Sequence, residues 1–92
     1  MKPIRFSAHA QLQMILRGAS EEEVMKAINT GKWEPAKMGK FQTEYRFDFN
    51  RIALTNQMFY KHKTVKPIFA DEQDEIVVIT VKEYYSNEEE KQ

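Results

Sequence analysis

The chain has 92 residues, of which 41% are hydrophobic and 30% charged, and its 14 basic residues balance 14 acidic ones. This length suits one domain with one modest core. The absence of cysteine excludes disulfides and thiolate metal sites, and no segment has the length of a membrane span, so we expect a cytoplasmic protein without a membrane partner.

Charge is distributed unevenly along the chain. Residues 32–66 carry eight basic and three acidic groups, whereas residues 67–92 carry two basic and eight acidic groups. The basic segment can neutralise acidic strands beside it, or it can form a basic surface for phosphate groups. The sequence leaves both interpretations open.

Two short helices are predicted near the start of the chain. Ser7 can cap a helix over residues 8–17, and Ser20 with Glu23 forms a capping box for a helix over residues 21–30. In each helix the apolar residues recur at helical spacing, which predicts a stripe that packs on the core. The stripes are Leu12, Ile15, Leu16 and Ala19 in the first helix, and Val24, Ala27 and Ile28 in the second.

Gly18 can end the first helix in a left-handed conformation, which makes the hairpin similar to a DNA-reading helix-turn-helix. The second helix, however, begins with three consecutive glutamates at residues 21–23, and its one basic residue is Lys26. Phosphate groups would repel this charge, so the sequence argues against DNA recognition by the hairpin.

The periodicity then changes to that of strands, which are predicted over residues 45–49, 52–55, 64–70 and 76–81. The first strand alternates aromatic and charged side chains, and a tight turn at residues 50 and 51 leads to the second. Residues 58–63 are compatible with strand or loop. Pro67 indicates an edge position or a bulge, and the last strand is apolar on both faces, which is typical of a central strand.

Helices grouped before an antiparallel sheet are typical of an α+β domain. We therefore expect two N-terminal helices packed on one face of a four-stranded, mainly antiparallel sheet. The expected domain covers residues 1–85, and residues 86–92 form an acidic, frayed tail. The other face of the sheet would be open to solvent or to a partner, so a functional site is expected there.

Few side chains are candidates for chemistry. His9 lies in the first turn of a helix, where the dipole disfavours protonation, so it can act as a general base or simply cap the helix. Arg46 would stand on the open sheet face, where it can bind a phosphate or pair with an acid of a neighbouring strand. Lys63 belongs to a basic run suited to phosphate contact or to an exposed loop. Two histidines without cysteine predict no metal site, and no motif indicates a cofactor.

The ordered set of motifs resembles a known bacterial family. The motifs are Phe6-Ser7-x-His9-Ala10, Arg17-Gly18-Ala19-Ser20-x-x-Glu23-Val24, Trp33-Glu34-Pro35-Ala36-Lys37-x-Gly39, Val65-Lys66-Pro67-Ile68-Phe69 and Ile76-Val77-Val78-Ile79-Thr80-Val81. Together they resemble the domain of unknown function 4258 family over nearly all of residues 4–85. That family has no agreed activity.

The order of helix hairpin and sheet is also similar to toxins of the RelE/ParE type, including the BrnT-like branch. This resemblance implies a toxin-like ribonuclease that acts on RNA or the ribosome and pairs with an antitoxin-like protein. It implies His9, Arg46, Lys63 and Tyr85, or Tyr84 beside it, as catalytic residues. Those toxins are strongly basic and this chain is neutral. The alternative is therefore a non-catalytic module that binds a protein partner or forms a homodimer.

Overall fold

In the computed structural model, which describes residues 2–89, two helices and a six-stranded sheet form an α+β structure. The helices are α1 (Ala8–Arg17) and α2 (Glu21–Thr30). The strands are β1 (Ile4–Phe6), β2 (Glu34–Pro35), β3 (Phe41–Gln42), β4 (Tyr45–Ile52), β5 (Phe59–Asp71) and β6 (Ile76–Ser86), with a 3₁₀ turn (Lys37–Gly39) between β2 and β3. The helix bounds agree with the prediction.

The sheet is mixed and has six strands, so the expectation of a four-stranded, mainly antiparallel sheet is wrong. The strand order is β1-β6-β5-β3-β2, and β4 also pairs with β5. β1 runs parallel to β6, with Ile4 opposite Ile76, while the other pairs are antiparallel. β1, β2 and β3 have only two or three residues each, which is too short for a period of two to appear in the sequence.

The strand boundaries differ from the prediction around the β4–β5 hairpin. β4 continues through the expected turn at residues 50 and 51, because Asn50 takes a positive φ of 49° at a bulge between Asp48 and Arg51. The turn lies instead at residues 53–58. The ambiguous residues before Thr64 join the next predicted strand, so that β5 extends over 13 residues.

Helix α2 packs its predicted apolar stripe on the sheet. Ser20 Oγ accepts a hydrogen bond from the Glu23 amide, and Glu23 Oε1 accepts one from the Ser20 amide, as predicted for a capping box. At the other end, a Cβ on Gly31 would lie 2.0 Å from Thr43 Oγ1, so close packing requires glycine there. The buried residues of α2 are Val24, Ala27 and Ile28. Val24 and Ile28 belong to the same core cluster as Val65, Phe69 and Val78 of β5 and β6.

Helix α1 packs differently, and the predicted stripe is wrong for three of its four residues. The side chains of Leu12, Ile15 and Leu16 face solvent, while Ala10 and Met14 are buried. Ala19, just beyond the helix, is buried as expected. The caps agree with the prediction, since Ser7 Oγ accepts a bond from the Ala10 amide and Gly18 has a φ of 76°.

Most of the predicted stripe of α1 faces solvent because α1 lies along an edge of β6. β1 pairs with this edge as far as Val78 and leaves the rest of it without a strand partner. Polar side chains of α1 form hydrogen bonds with the backbone groups of this edge. Gln13 Oε1 accepts a hydrogen bond from the Val81 amide at 2.9 Å, and Arg17 Nη1 donates one to the Val81 carbonyl at 2.7 Å. Buried backbone groups need such partners, so Gln13 and Arg17 turn toward the edge of β6, while Leu12, Ile15 and Leu16 turn outward.

Candidate functional site

The structure places the four predicted site residues in three different parts of the molecule. Lys63 and Tyr85 lie opposite each other on β5 and β6, on the face that carries the helices. Arg46 lies opposite Thr64, one position along, and therefore stands on the other face. His9 is exposed near the start of α1, about 12 Å along the helix axis from Arg17. Lys63 and Tyr85 are thus brought together, and Arg17 rather than His9 or Arg46 lies beside them.

Lys63, Tyr85 and Arg17 share a cleft of about 390 Å³ between the end of α1 and the strands β4, β5 and β6. We call it the α1 cleft. Arg51 and Phe49 of β4 complete its polar and aromatic lining. Its outer wall is apolar and consists of Ile15, Leu16, Ile52 and Leu54.

Lys63 lies in the floor of the α1 cleft and is only 4% exposed. Its Nζ donates to the Gly18 carbonyl at 2.9 Å and forms ion pairs with Glu23 Oε1 at 3.0 Å and Glu83 Oε2 at 3.8 Å. These contacts join the end of α1, the first turn of α2 and β6 at one point. Because its donors are used within the protein, Lys63 organises the cleft rather than offering an unoccupied ammonium group to a ligand.

Two titratable groups lie beside Lys63, namely Tyr85, which lines the cleft, and Glu83, which is buried behind the lining. The Glu83 side chain is almost completely buried, and burial raises the pKa of its carboxyl group, against the opposite effects of the Tyr85 hydroxyl and the Lys63 ammonium. Burial and the neighbouring Glu83 raise the pKa of the Tyr85 phenol well above its ordinary value. Tyr85 therefore stays protonated at neutral pH, and its hydroxyl donates a hydrogen bond to the Arg17 carbonyl at 3.4 Å. Its raised pKa limits proton donation to a strongly basic atom, such as a departing alkoxide oxygen.

Phe49 and Tyr85 line the cleft beside these charged groups, and Tyr60 lies next to Tyr85 outside the lining. The Tyr85 ring lies 5.1 Å from the Phe49 ring and 5.2 Å from the Tyr60 ring, with which it is stacked. The Arg51 guanidinium lies over Phe49 at 4.9 Å from the ring centroid. Within residues 2–89, neither Arg17 nor Arg51 forms an ion pair with a carboxylate. The cleft thus combines two guanidinium groups that lack an acidic partner in this range with the rings of Phe49 and Tyr85.

The open sheet face, predicted as the functional face, is arranged differently. Arg46 donates a hydrogen bond to the Glu88 carbonyl, so residues 87–89 lie against this face. A groove of about 460 Å³ runs beside Arg46 and His62, but the carboxylates of Glu44, Asp48 and Glu89 also line it. These carboxylates would repel a phosphate group, which makes the α1 cleft the better anion site.

Sequence reasoning missed Arg51 and Glu83 as members of the site. For Glu83 a signal was available, because residues two apart in a strand share a face and Tyr85 was already a candidate. For Arg51 no signal existed, since its approach to Lys63 and Tyr85 depends on the bulge in β4 and on the register of three strands. The burial of Lys63 likewise could not be predicted, because Lys63 belongs to a run of basic residues, which is typical of an exposed segment.

Between Lys2 and Glu89, no three His, Asp or Glu side chains are grouped so that they could hold a metal ion. In the same range, neither helix has the length and apolar character needed to cross a membrane.

Comparison with known proteins identifies a family but no activity. A family model described as Domain of unknown function (DUF4258) matches residues 6–83, well over half of the chain. No curated protein and no solved structure matches. The similarity of the element order to RelE/ParE-type toxins therefore stays a prediction. The family match agrees with the motif resemblance, and the chain belongs to the DUF4258 family.

Proposed function

We propose that the protein binds single-stranded RNA in the α1 cleft and cleaves it there. The observation that supports this proposal is the convergence of Arg17, Arg51 and Tyr85 with the Phe49 ring in one cleft. Guanidinium groups bind phosphate oxygens in a fork geometry, and aromatic faces stack on unpaired bases of any sequence. Few ligands other than a single-stranded nucleic acid offer both partners side by side.

The same groups suit cleavage of RNA by its own 2′-hydroxyl group. In that reaction the 2′-oxygen attacks phosphorus and releases its proton to water, while the bond from phosphorus to the 5′-oxygen breaks. Arg17 and Arg51 would neutralise the charge that develops on the phosphoryl oxygens. Tyr85, which stays protonated, would give its proton to the departing 5′-oxygen and recover one from solvent. The products are a 2′,3′-cyclic phosphate and a 5′-hydroxyl end.

This proposal keeps a cytoplasmic, toxin-like ribonuclease as the function but moves the site from the open sheet face to the helix-bearing face. Arg46 and His9 have no part in it. The carboxylates around Arg46 and the position of His9 at the far end of α1 support the change.

The test is RNA binding by fluorescence anisotropy with a labelled ten-nucleotide RNA, followed by gel analysis of the products. Arg51→Ala should weaken RNA binding about tenfold, because one phosphate contact is lost. For the same reason, the slope of log K against log salt concentration should decrease in magnitude by about one. Tyr85→Phe should leave binding unchanged and slow cleavage about 100-fold, as expected for loss of a general acid. Lys37→Ala, an exposed lysine outside the cleft, is the control and should change neither.

Two results would contradict the proposal in different ways. Equal binding by the Arg51→Ala variant and the unchanged protein would remove the α1 cleft as the RNA site. Binding without cyclic phosphate product would refute catalysis and leave an RNA-binding protein.

A further inference from the structure

A continuous apolar surface lies beside the α1 cleft. Leu12, Ile15 and Leu16 of α1 are 56%, 78% and 67% exposed, and Ile52 and Leu54 across the cleft are 50% and 86% exposed. Ile15, Leu16, Ile52 and Leu54 line one cleft, so their exposed surfaces adjoin. We call these five residues the α1 ridge. Single exposed apolar side chains are ordinary, but contiguous apolar patches mark interaction sites.

The fold itself keeps the α1 ridge exposed. The opposite flank of α1 is held by two hydrogen bonds with the backbone of Val81, whose amide donates to Gln13 and whose carbonyl accepts from Arg17. Rotating the helix to bury the ridge would break both bonds and leave the edge of β6 without partners. The ridge therefore contributes little to the core, and its apolar surface remains available to another molecule.

The charged residues around the α1 ridge indicate which kind of partner would bind to it. On the cleft side the ridge meets Arg17 and Arg51, neither of which has a carboxylate partner among residues 2–89. On the far side of Ile15 lies Glu21, so the cationic border belongs to the cleft side alone. A complementary surface would carry apolar side chains flanked by acidic ones on one side.

A second copy of the chain fits this border poorly. In a two-fold interface a residue of one patch contacts a different residue of the other, so the two arginines of one copy would face a patch whose lining includes one acidic residue, Glu21. A helix fits better, because Leu12, Ile15 and Leu16 have the i, i+3, i+4 spacing with which helices pack together. The groove between α1 and the β4–β5 hairpin would seat such a helix.

We infer that the α1 ridge docks an acidic amphipathic helix of a partner protein. Docking does not depend on the proposed ribonuclease activity. One consequence does rest on it, since a helix in this position would cover Arg17 and Arg51 and so compete with RNA.

The test uses two synthetic 16-residue helical peptides with leucines at i, i+3, i+4 and i+7. One peptide carries glutamates beside the leucines, and the other carries lysines at the same positions. Isothermal titration calorimetry should show binding of the glutamate peptide and at least tenfold weaker binding of the lysine peptide. The double variant Ile15→Ser, Leu16→Ser should lose about tenfold or more in affinity for the glutamate peptide, because two apolar contacts are removed.

Met38→Asn is the matched control, because Met38 is 90% exposed in the 3₁₀ turn at the other edge of the sheet. It should bind the glutamate peptide with unchanged affinity. Equal binding of both peptides, or unchanged binding by the double variant, would overturn the inference. A dimer in sedimentation velocity that the double variant abolishes would overturn it in favour of a second copy. Failure of the RNA assay alone would contradict the ribonuclease proposal and leave peptide binding intact.

Discussion

The two helices have the same length and similar ends but pack on the sheet in different ways. Each has ten residues, a serine N-cap and a glycine directly after its last turn. α2 lies on the face of the sheet and buries its apolar stripe, whereas α1 lies along the edge of β6 and exposes most of its own. The difference teaches that an apolar stripe predicts the buried side of a helix only when the neighbouring surface is itself apolar. A strand edge needs polar partners instead.

The largest effect is expected where both helices meet the sheet, at Lys63. Lys63→Met should lower the free energy of unfolding by roughly 4 kcal/mol, since it leaves the buried Glu83 carboxyl without its cation and frees the ends of both helices. Urea denaturation measures this. Lys66→Met is the control, because Lys66 lies opposite Lys82 on the other face, and its loss should change stability by less than about 0.5 kcal/mol. Similar values for both variants would show that Lys63 does not tie the helices together.

A direct comparison of the two stripes comes from matched isoleucines. Ile28→Ala in α2 should cost about 3 kcal/mol, because Ile28 is 1% exposed and its removal leaves a cavity. Ile15→Ala in α1 should change the free energy of unfolding by less than about 0.5 kcal/mol. Thermal and urea denaturation of both variants measure the contrast. A large loss for Ile15→Ala would mean that the ridge is buried in the native protein.

The glycines that end the helices should respond for different reasons. Gly31→Ala should cost about 2 kcal/mol, since the new methyl group would overlap Thr43 Oγ1, and Thr43→Ala in the same chain should recover part of the loss. Gly18→Ala should cost about 1 kcal/mol through its positive φ alone, and Gly18→Asn should cost less. If Gly18→Asn were as harmful as Gly18→Ala, the left-handed cap would not explain this glycine.

The smallest expected effect is a pH dependence of stability. It arises from Glu83, which lies beside Lys63 where the helices meet the sheet. The pKa of Glu83 is raised in the folded state, so its contribution to stability is present below the ordinary carboxyl pKa and is lost as pH rises through the raised value. Glu83→Gln should therefore gain stability relative to the unchanged protein as pH rises from 4.5 to 8. Denaturation midpoints across this range measure the difference.

Glu75→Gln provides a control of opposite sign. Arg5 lowers the pKa of Glu75, so that contribution is present above the ordinary carboxyl pKa and disappears as pH falls below it. The Glu75→Gln variant should show no gain between pH 5 and 8. A Glu83→Gln curve parallel to that of the unchanged protein would contradict burial as the cause of the shifted pKa.

The helices could be predicted to the residue because their signals are local. Ser7 and Gly18 act within one turn of α1, and Ser20 with Glu23 acts within one turn of α2, so no distant residue is needed. The sheet was predicted less well. Its missing strands are short and gain their identity only from pairing, as β1 does beside residues 76–78 of β6.

The candidate site was predictable only in part for the same reason. Lys63 was a candidate as part of a basic run and Tyr85 through the resemblance to RelE/ParE-type toxins, but their position on the helix-bearing face follows from the register between β5 and β6. His9 was a candidate from its place in the first helix and Arg46 from the expected open face, and the fold places them at the far end of α1 and on the other face of the sheet. Residue type indicates what a side chain can do, while register decides which side chains meet.

By itself the sequence determined the composition class, the two helices with their caps, the α+β architecture and the family, all of which depend on short-range patterns. Only the tertiary structure decided which flank of α1 is buried, where Lys63 lies and which residues form the α1 cleft. The physical reason is that a helix or strand can satisfy its local hydrogen bonds in many surroundings. Its buried side is chosen by backbone groups and charges that are distant in sequence, such as Val81 and Glu83.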